Sequence, residues 1–216
     1  MKRTVFLVDD HPLVREWLAN LINRQADLVV CEEAESAPQA LRQIAAAQPD
    51  IVILDITLAH GSGLELIKDI KCQCSKTDII VLSMHDESLY AERALRAGAK
   101  GYVMKKETTK KIVTAIRQVL EGRLYVSDRF SETLAGSLLQ GKQPNASPIQ
   151  ELSDRELEVF GMIGQGVETR LIAESLSISI KTVQVYCSRI KEKLKLANAT
   201  ELLREAVLWH ESQQTK

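Results

Sequence analysis

The sequence predicts an α/β domain built on a five-stranded parallel sheet, followed by a smaller all-α domain. Three observations carry this. Five short apolar runs alternate with amphipathic helical stretches over about the first 120 residues. The runs are continuously apolar, as strands covered on both faces must be. Beyond the Gly/Pro/Ser/Asn-rich stretch GKQPNASP (141–148) only helical periodicity is left.

The elements follow in order. TVFLV (4–8) reads as the first strand, and a helix starts at about Pro12, with Leu13/Val14, Trp17/Leu18 and Leu21/Ile22 at helical spacing. LVVCEEAES (28–36) leads into the helical APQALRQIAAA (37–47). IVILD (51–55) is a buried strand ending in a carboxylate, and GLELIKDIK (63–71) is helical. IIVLSM (79–84), LYAERALRAG (89–98), GYVM (101–104) and TKKIVTAIRQVLEG (109–122) complete the strand–helix rhythm. Residues 123–148 read as a linker: SDRFSETLAGSLLQ (127–140) can form one helix, and the rest is a tether. The expected domains are therefore 1–122 and 149–216. In the second, helices are expected over 153–164, 168–176, 180–195 and 199–209. Ser153 and Glu156 form the S-x-x-E of a capping box, and Leu152 with Leu157 forms a hydrophobic staple.

The chain has 216 residues, 45% of them apolar, enough for two modest cores. Its 28 basic and 29 acidic residues nearly cancel, so a nucleic-acid role must come from local clustering. The four cysteines match no common zinc spacing and read as reduced thiols of a cytoplasmic protein. The apolar start MKRTVFLV is too short for a signal peptide, and no run is long enough to span a membrane.

In a parallel sheet the site lies at the carboxyl ends of the strands. Asp9 and Asp10 follow the first strand, Asp55 ends the third, Ser83 lies near the end of the fourth, and Lys105 is just past the fifth. Like charges packed together repel unless a cation neutralises them. Three carboxylates with few Cys or His neighbours suit a hard, oxygen-seeking ion, and Mg²⁺ is the natural choice. With Lys105 as a second positive point and Ser83 as a hydroxyl donor, the set would stabilise a phosphoryl group arriving on Asp55.

The segments LVDDH, IVILDI, VLSMHDE and GAKGYVMKKE resemble the receiver domain of bacterial two-component response regulators, over about residues 3–122. The resemblance implies a flavodoxin-like doubly wound (βα)5 fold and a phosphoryl group taken from a phosphohistidine of a sensor histidine kinase. It implies Asp55 as acceptor, with Asp10 binding Mg²⁺ directly, Asp9 largely through water, and Thr57 through its backbone carbonyl. Ser83 and Lys105 would contact the phosphoryl oxygens, and Tyr102 would be the switch aromatic that swings as Ser83 moves. One residue departs from the pattern. Ala59 stands where the family usually has proline, which loosens the loop beside the site, while Gly63 is kept. His85, two residues past Ser83, lies near the site.

In the second domain, TRLIAESLSISIKTVQVYCSRIKEKLKL reads as helix–turn–helix. Ala173 is small where two helices cross, Ser177-Ile178-Ser179 forms the turn with Ser177 in the usual glycine place, and Ser179 can cap the second helix. On that helix Val183, Cys187, Ile190 and Leu194 form an apolar stripe. Beside it runs a polar, mostly basic one: Lys181, Gln184, Ser188, Lys191 and Lys195. From 181 to 195 there are five basic residues and one acid, against eleven basic and twelve acidic from 126 to the end. Such a helix supplies phosphate contacts, Gln184 can read an adenine edge, and Val185 can pack on a thymine methyl.

This segment resembles the NarL/LuxR-type four-helix DNA-binding domain over about 149–210. The analogy makes Gln184, Val185 and Ser188 the base-facing set and Lys181, Thr182 and Arg189 phosphate contacts, with Lys191 continuing the basic stripe. The last helix carries an apolar face of Leu202, Leu203, Ala206 and Trp209, which can pair subunits, pack within the domain, or both.

The expectation is a phosphorylation-gated transcription regulator, not an enzyme. Its implied partners are double-stranded DNA with inverted or tandem half-sites, a sensor histidine kinase, RNA polymerase and a second copy of the chain when active. Two rivals remain at this stage. A regulator that binds DNA without phosphate has only Ala59 in its favour. An aspartate-nucleophile phosphatase typically needs a second acid two residues after the nucleophile, where this chain has Thr57.

Overall fold

In the computed structural model, which describes residues 2–58, 61–84, 87–140 and 148–214, the chain forms two compact units, Met1–Glu132 and Thr133–Lys216. Ala59, His85 and the 141–147 part of the expected linker lie outside the described residues.

In the first unit five strands alternate with five helices. They are β1 (Arg3–Val8), α1 (Pro12–Asn23), β2 (Leu28–Ala34), α2 (Ala37–Ala47), β3 (Ile51–Asp55), α3 (Gly63–Gln73), β4 (Asp78–Ser83), α4 (Glu87–Ala97), β5 (Gly101–Met104) and α5 (Thr108–Leu120). All strand pairs are parallel and the order is β2-β1-β3-β4-β5. Side chains alternate across a sheet. Val5, Leu7, Ile51, Ile53, Ile80 and Leu82 face one way, into a core with Leu18 and Ile22 of α1 and Ile112, Ile116 and Val119 of α5. Their neighbours Phe6, Val8, Val52, Leu54, Ile79 and Val81 are equally buried, on the face that α2, α3 and α4 cover with Ile44, Ile67, Ile70 and Ala94. Both faces are thus covered, and each such Leu or Ile contributes roughly 1.5–3 kcal/mol by leaving water.

Topology creates the site. The chain leaves β1 to one side for β2 and crosses to the other side for β3, so the order reverses beside β1. The register pairs Val8 with Leu54, and Asp9 and Asp55 therefore reach the rim side by side. Asp55 is level with Leu82, and Ser83 with Met104, which brings Ser83 and Lys105 to the same edge. Gly63 is needed for close approach, since a Cβ there would lie 2.4 Å from the Ile56 carbonyl oxygen, in the loop that leaves Asp55.

Residues 123–132, assigned by sequence to the linker, group with the first unit. Tyr125 lies along the open edge of β5: Tyr102 N–H donates to its carbonyl at 2.8 Å, and its own N–H donates to the Lys100 carbonyl at 2.9 Å. Glu87 accepts from the Ser127 N–H at 2.8 Å, and Phe130 is buried at the start of α6 (Asp128–Gln140).

The second unit holds α7 (Asp154–Gly164), α8 (Thr169–Ser175), α9 (Ile180–Leu194) and α10 (Ala199–Gln214). The capping box is present in both directions, Ser153 accepting from the Glu156 N–H and Glu156 from the Ser153 N–H. Leu157, Phe160, Ile172, Val183, Ile190 and Ala206 fill the core, and the Phe160 and Trp209 rings lie 5.4 Å apart. Ser177 has φ +54°, which explains why glycine is the usual residue in this turn. Ser179 caps α9 by accepting from the Thr182 N–H at 3.0 Å.

Candidate functional site

At the rim, Asp9 is 2% exposed and Asp55 3% exposed. The Asp9 N–H still donates to the Ala34 carbonyl at 3.2 Å, so this residue remains tied to the sheet. Arg15 of α1 donates to the Asp9 carbonyl at 2.5 Å and pairs with Glu33 on β2. Lys105 reaches across from β5, with Nζ 2.6 Å from Asp55 Oδ2 and 2.7 Å from Asp9 Oδ2. Its turn is pinned by the buried Thr108 hydroxyl, which donates to the Lys105 carbonyl at 2.9 Å. Asp55 Oδ1 accepts from the Thr57 N–H at 3.0 Å, while the Thr57 side chain is exposed. Asp10 keeps 23% of its side chain exposed, with Oδ1 2.8 Å from His11 Nδ1. Ser83 and Tyr102 are buried, at 0% and 1% exposure.

His11 was missed by sequence reasoning as a contact of the acidic group. Its N–H donates to Asp9 Oδ1 at 2.9 Å, and its ring lies against both Asp9 and Asp10. The available signal was its position directly after two aspartates. Arg15 and Thr108 act through the backbone, which leaves no signature in composition.

Burial pushes the Asp55 carboxyl up to about 6, against the pull of Lys105 and the Thr57 N–H. For Lys105 burial works the other way, but the Asp55 and Asp9 carboxylates outweigh it and hold the ammonium above the ordinary lysine value. The rim is thus a charged cluster with the Lys105 ammonium set between two of its carboxylates. One oxygen from each of Asp9, Asp10 and Asp55, with His11 Nδ1, falls within 4.8 Å of the others. Three such oxygens have the donor chemistry of a hard divalent ion.

In the second unit, α9 turns Val183 and Ile190 into the core and leaves Lys181, Gln184, Val185, Ser188 and Arg189 exposed. Thr182 and Lys191 are half-buried, and the Thr182 hydroxyl lies 2.8 Å from Ser179 Oγ. Leu171 and Ile180, which were not singled out in the sequence, are also exposed, at 52% and 47%. The sequence left open whether the apolar face of α10 pairs subunits, packs within the domain, or does both. Leu202, Ala206 and Trp209 are buried within the unit, because they are the residues that close its core. Of that set only Leu203 is exposed, at 48%, and Leu208 joins it at 51%.

No described helix is long and apolar enough to cross a membrane. Two family models match the chain: the response regulator receiver domain over residues 5–117, and the bacterial regulatory proteins of the luxR family over 150–206. The chain is 32% identical over 208 residues to the oxygen regulatory protein NreC of Staphylococcus carnosus, covering 94% of this chain and 96% of that one. It is 34% identical over 203 residues to the transcriptional activator protein ExaE of Pseudomonas putida, covering 94% and 95%. Among solved structures it is similar in fold to RcsB from Salmonella enterica serovar Typhimurium, bound to promoter P1flhDC in the presence of a phosphomimetic, with a TM-score of 0.70, 23% identity and 95% and 98% coverage. Matching models in both halves, and relatives aligned over nearly the full length, place the chain in a family: it belongs to the two-component response regulators in which a receiver domain is joined to a LuxR-type DNA-binding domain.

Proposed function

We propose that Asp55 accepts a phosphoryl group from a phosphohistidine of a sensor histidine kinase, and that this modification switches sequence-specific DNA binding by α9. The observation that carries the reading is the buried Asp55 carboxylate held against Lys105 beside Asp9 and Asp10. An Asp55 carboxylate oxygen forms the new O–P bond as the donor's N–P bond breaks, its electron pair leaving with the imidazole. Lys105 is already within reach of the incoming oxygens, and Ser83 at the adjacent strand end supplies a hydroxyl donor. Asp9, Asp10, Asp55 and the Thr57 carbonyl would hold Mg²⁺, which when bound neutralises charge on the phosphoryl oxygens. Tyr102, on β5 three residues before Lys105, is the switch aromatic that follows Ser83.

The receiver is assigned to 1–122, the connection to 123–148 and the DNA-binding domain to 149–216. Gln184, Val185 and Ser188 face bases, while Lys181, Thr182, Arg189 and Lys191 meet phosphates. Pairing of two copies through Leu203 and Leu208 brings two α9 helices to inverted or tandem half-sites. The second contact then becomes intramolecular and affinity rises without new base contacts. The protein acts in the cytoplasm, with RNA polymerase as a further partner. The names of NreC and ExaE and the promoter-bound RcsB structure support this reading.

Labelling with a small phosphodonor and Mg²⁺ tests the acceptor. Asp55→Asn should abolish labelling, and a variant that still labels fully refutes the assignment. Genome-wide footprinting of wild type beside Asp55→Asn tests the switch; identical footprints would show that DNA binding ignores the modification.

A further inference from the structure

Glu156, the third residue of α7, is 3% exposed. Its Oε2 accepts from the Ser153 N–H at 2.7 Å and from Lys193 Nζ at 2.6 Å. The same Lys193 ammonium donates to the Glu151 carbonyl at 3.0 Å, at the end of the one-turn 3-10 helix Pro148–Glu151. One side chain from the last turn of α9 therefore joins the start of α7 and the turn that leads into it. Burial pushes the Glu156 carboxyl up, but hydrogen bonds from Lys193 and Ser153 outweigh this and keep it below the ordinary glutamate value.

Lys193 is one of the five basic residues that make α9 read as a phosphate-binding helix. Its position says otherwise. At about 100° per residue, nine residues place it roughly 180° from Gln184, on the far side of the helix. Three residues from the buried Ile190, it borders the core stripe. An ammonium shared between a buried carboxylate and a backbone carbonyl is not free to release counterions from DNA.

Resting on the DNA-binding reading above, we propose that Lys193 is a positioning residue and not a phosphate contact: its bridge to Glu156 and Glu151 sets the angle and register at which α9 presents Gln184, Val185 and Arg189. A buried carboxylate that loses its cation cannot simply be rehydrated, so the helix must shift to accommodate it. The bridge also gives α7 and α9 a shared ion pair in addition to their apolar contacts. The recognition face is then held at both ends, by the Ser179 cap at the start of α9 and by Lys193 at its close.

The test uses the full chain and a fluorescein-labelled duplex of mixed sequence, with affinity measured across a salt series. Lys181→Gln should flatten the slope of log K against log salt by about 0.9, the loss of one phosphate contact. Lys193→Gln should leave the slope at the wild-type value while weakening binding at least threefold at every salt concentration, and Lys193→Arg should restore affinity to within about twofold. Without DNA, amide hydrogen exchange along α9 should quicken about tenfold in Lys193→Gln and in Glu156→Gln, with no further gain in the double variant. A slope that falls in Lys193→Gln as it does in Lys181→Gln overturns the proposal, as do additive or absent exchange effects. A flat response to Lys181→Gln would instead refute the DNA-facing assignment of α9, and the exchange cycle would still decide the bridge. If Lys193→Gln fails to fold, Glu156→Gln carries the same comparison, with the slope kept and binding weakened at least threefold.

Discussion

Binding of Mg²⁺ at the rim should be proton-linked in a range where ordinary carboxylates are silent. The ion needs Asp55 ionised, and burial raises this carboxyl to about 6. At pH 7 about nine-tenths of the molecules carry the ionised form, and at pH 5 about one-tenth. The apparent Kd should therefore rise about tenfold between those values, roughly 1.4 kcal/mol. A carboxyl at its ordinary value of 3.8 would change the affinity by only about 1.1-fold over the same interval. Titration calorimetry of the full chain at constant ionic strength measures this. In two buffers of different ionisation enthalpy it should also show about half a proton released per ion near pH 6. The His11 ring touches Asp9 and Asp10, so Asp55→Asn, which keeps His11, is the control and should lose the Asp55-linked step. The sign for stability follows from the same shift. The folded form of the metal-free protein binds the Asp55 proton more tightly than the unfolded form does. This contribution is present below about pH 4 and is lost as pH rises through about 6, amounting to at most about 3 kcal/mol. Affinity that stays flat from pH 7 to 5 refutes the argument that burial, outweighing Lys105, controls Asp55.

Two further outcomes test the second unit. Ser177→Gly should raise the melting temperature of the C-terminal domain by roughly 3–6 °C, since relieving a left-handed serine at φ +54° is worth about 0.5–1 kcal/mol after the added freedom of the unfolded chain; thermal melting followed by circular dichroism reads it, and an unchanged or lower midpoint counts against the strain. Leu203→Asn with Leu208→Asn should weaken self-association of the phosphorylated chain at least tenfold in sedimentation while leaving the melting temperature within about 1 °C, whereas Trp209→Ala should destabilise the domain by about 3–5 kcal/mol.

The order of strands and helices was legible in the sequence because it is written in local periodicity. IVILD has no polar residue until its last, and APQALRQIAAA repeats at helical spacing, so each declares its element without reference to the rest. The capping box at Ser153 and the cap at Ser179 were legible for the same reason, as each involves residues three apart. So was the set of polar residues at the strand ends, since a parallel sheet brings those ends to one edge. The fate of an individual side chain was not. Lys193 and Lys191 look alike in a stretch of basic residues and are both half-buried, yet a buried carboxylate 37 positions away ties up the Lys193 ammonium. Leu203 and Leu202 are neighbours of equal hydropathy, and the packing of α7 against α10 decides that one is core and the other surface.

By itself, then, the sequence determined the doubly wound receiver, the helix–turn–helix and the identity of the acidic rim, because short-range spacing and charge suffice for these. Only the tertiary structure decided the electrostatics. The reach of Lys105 from the end of β5 to Asp55 and Asp9 and the raised Asp55 carboxyl both depend on distances between residues far apart in the chain. Coulomb energy and desolvation respond to separation and burial in space, and neither quantity exists until the chain has folded.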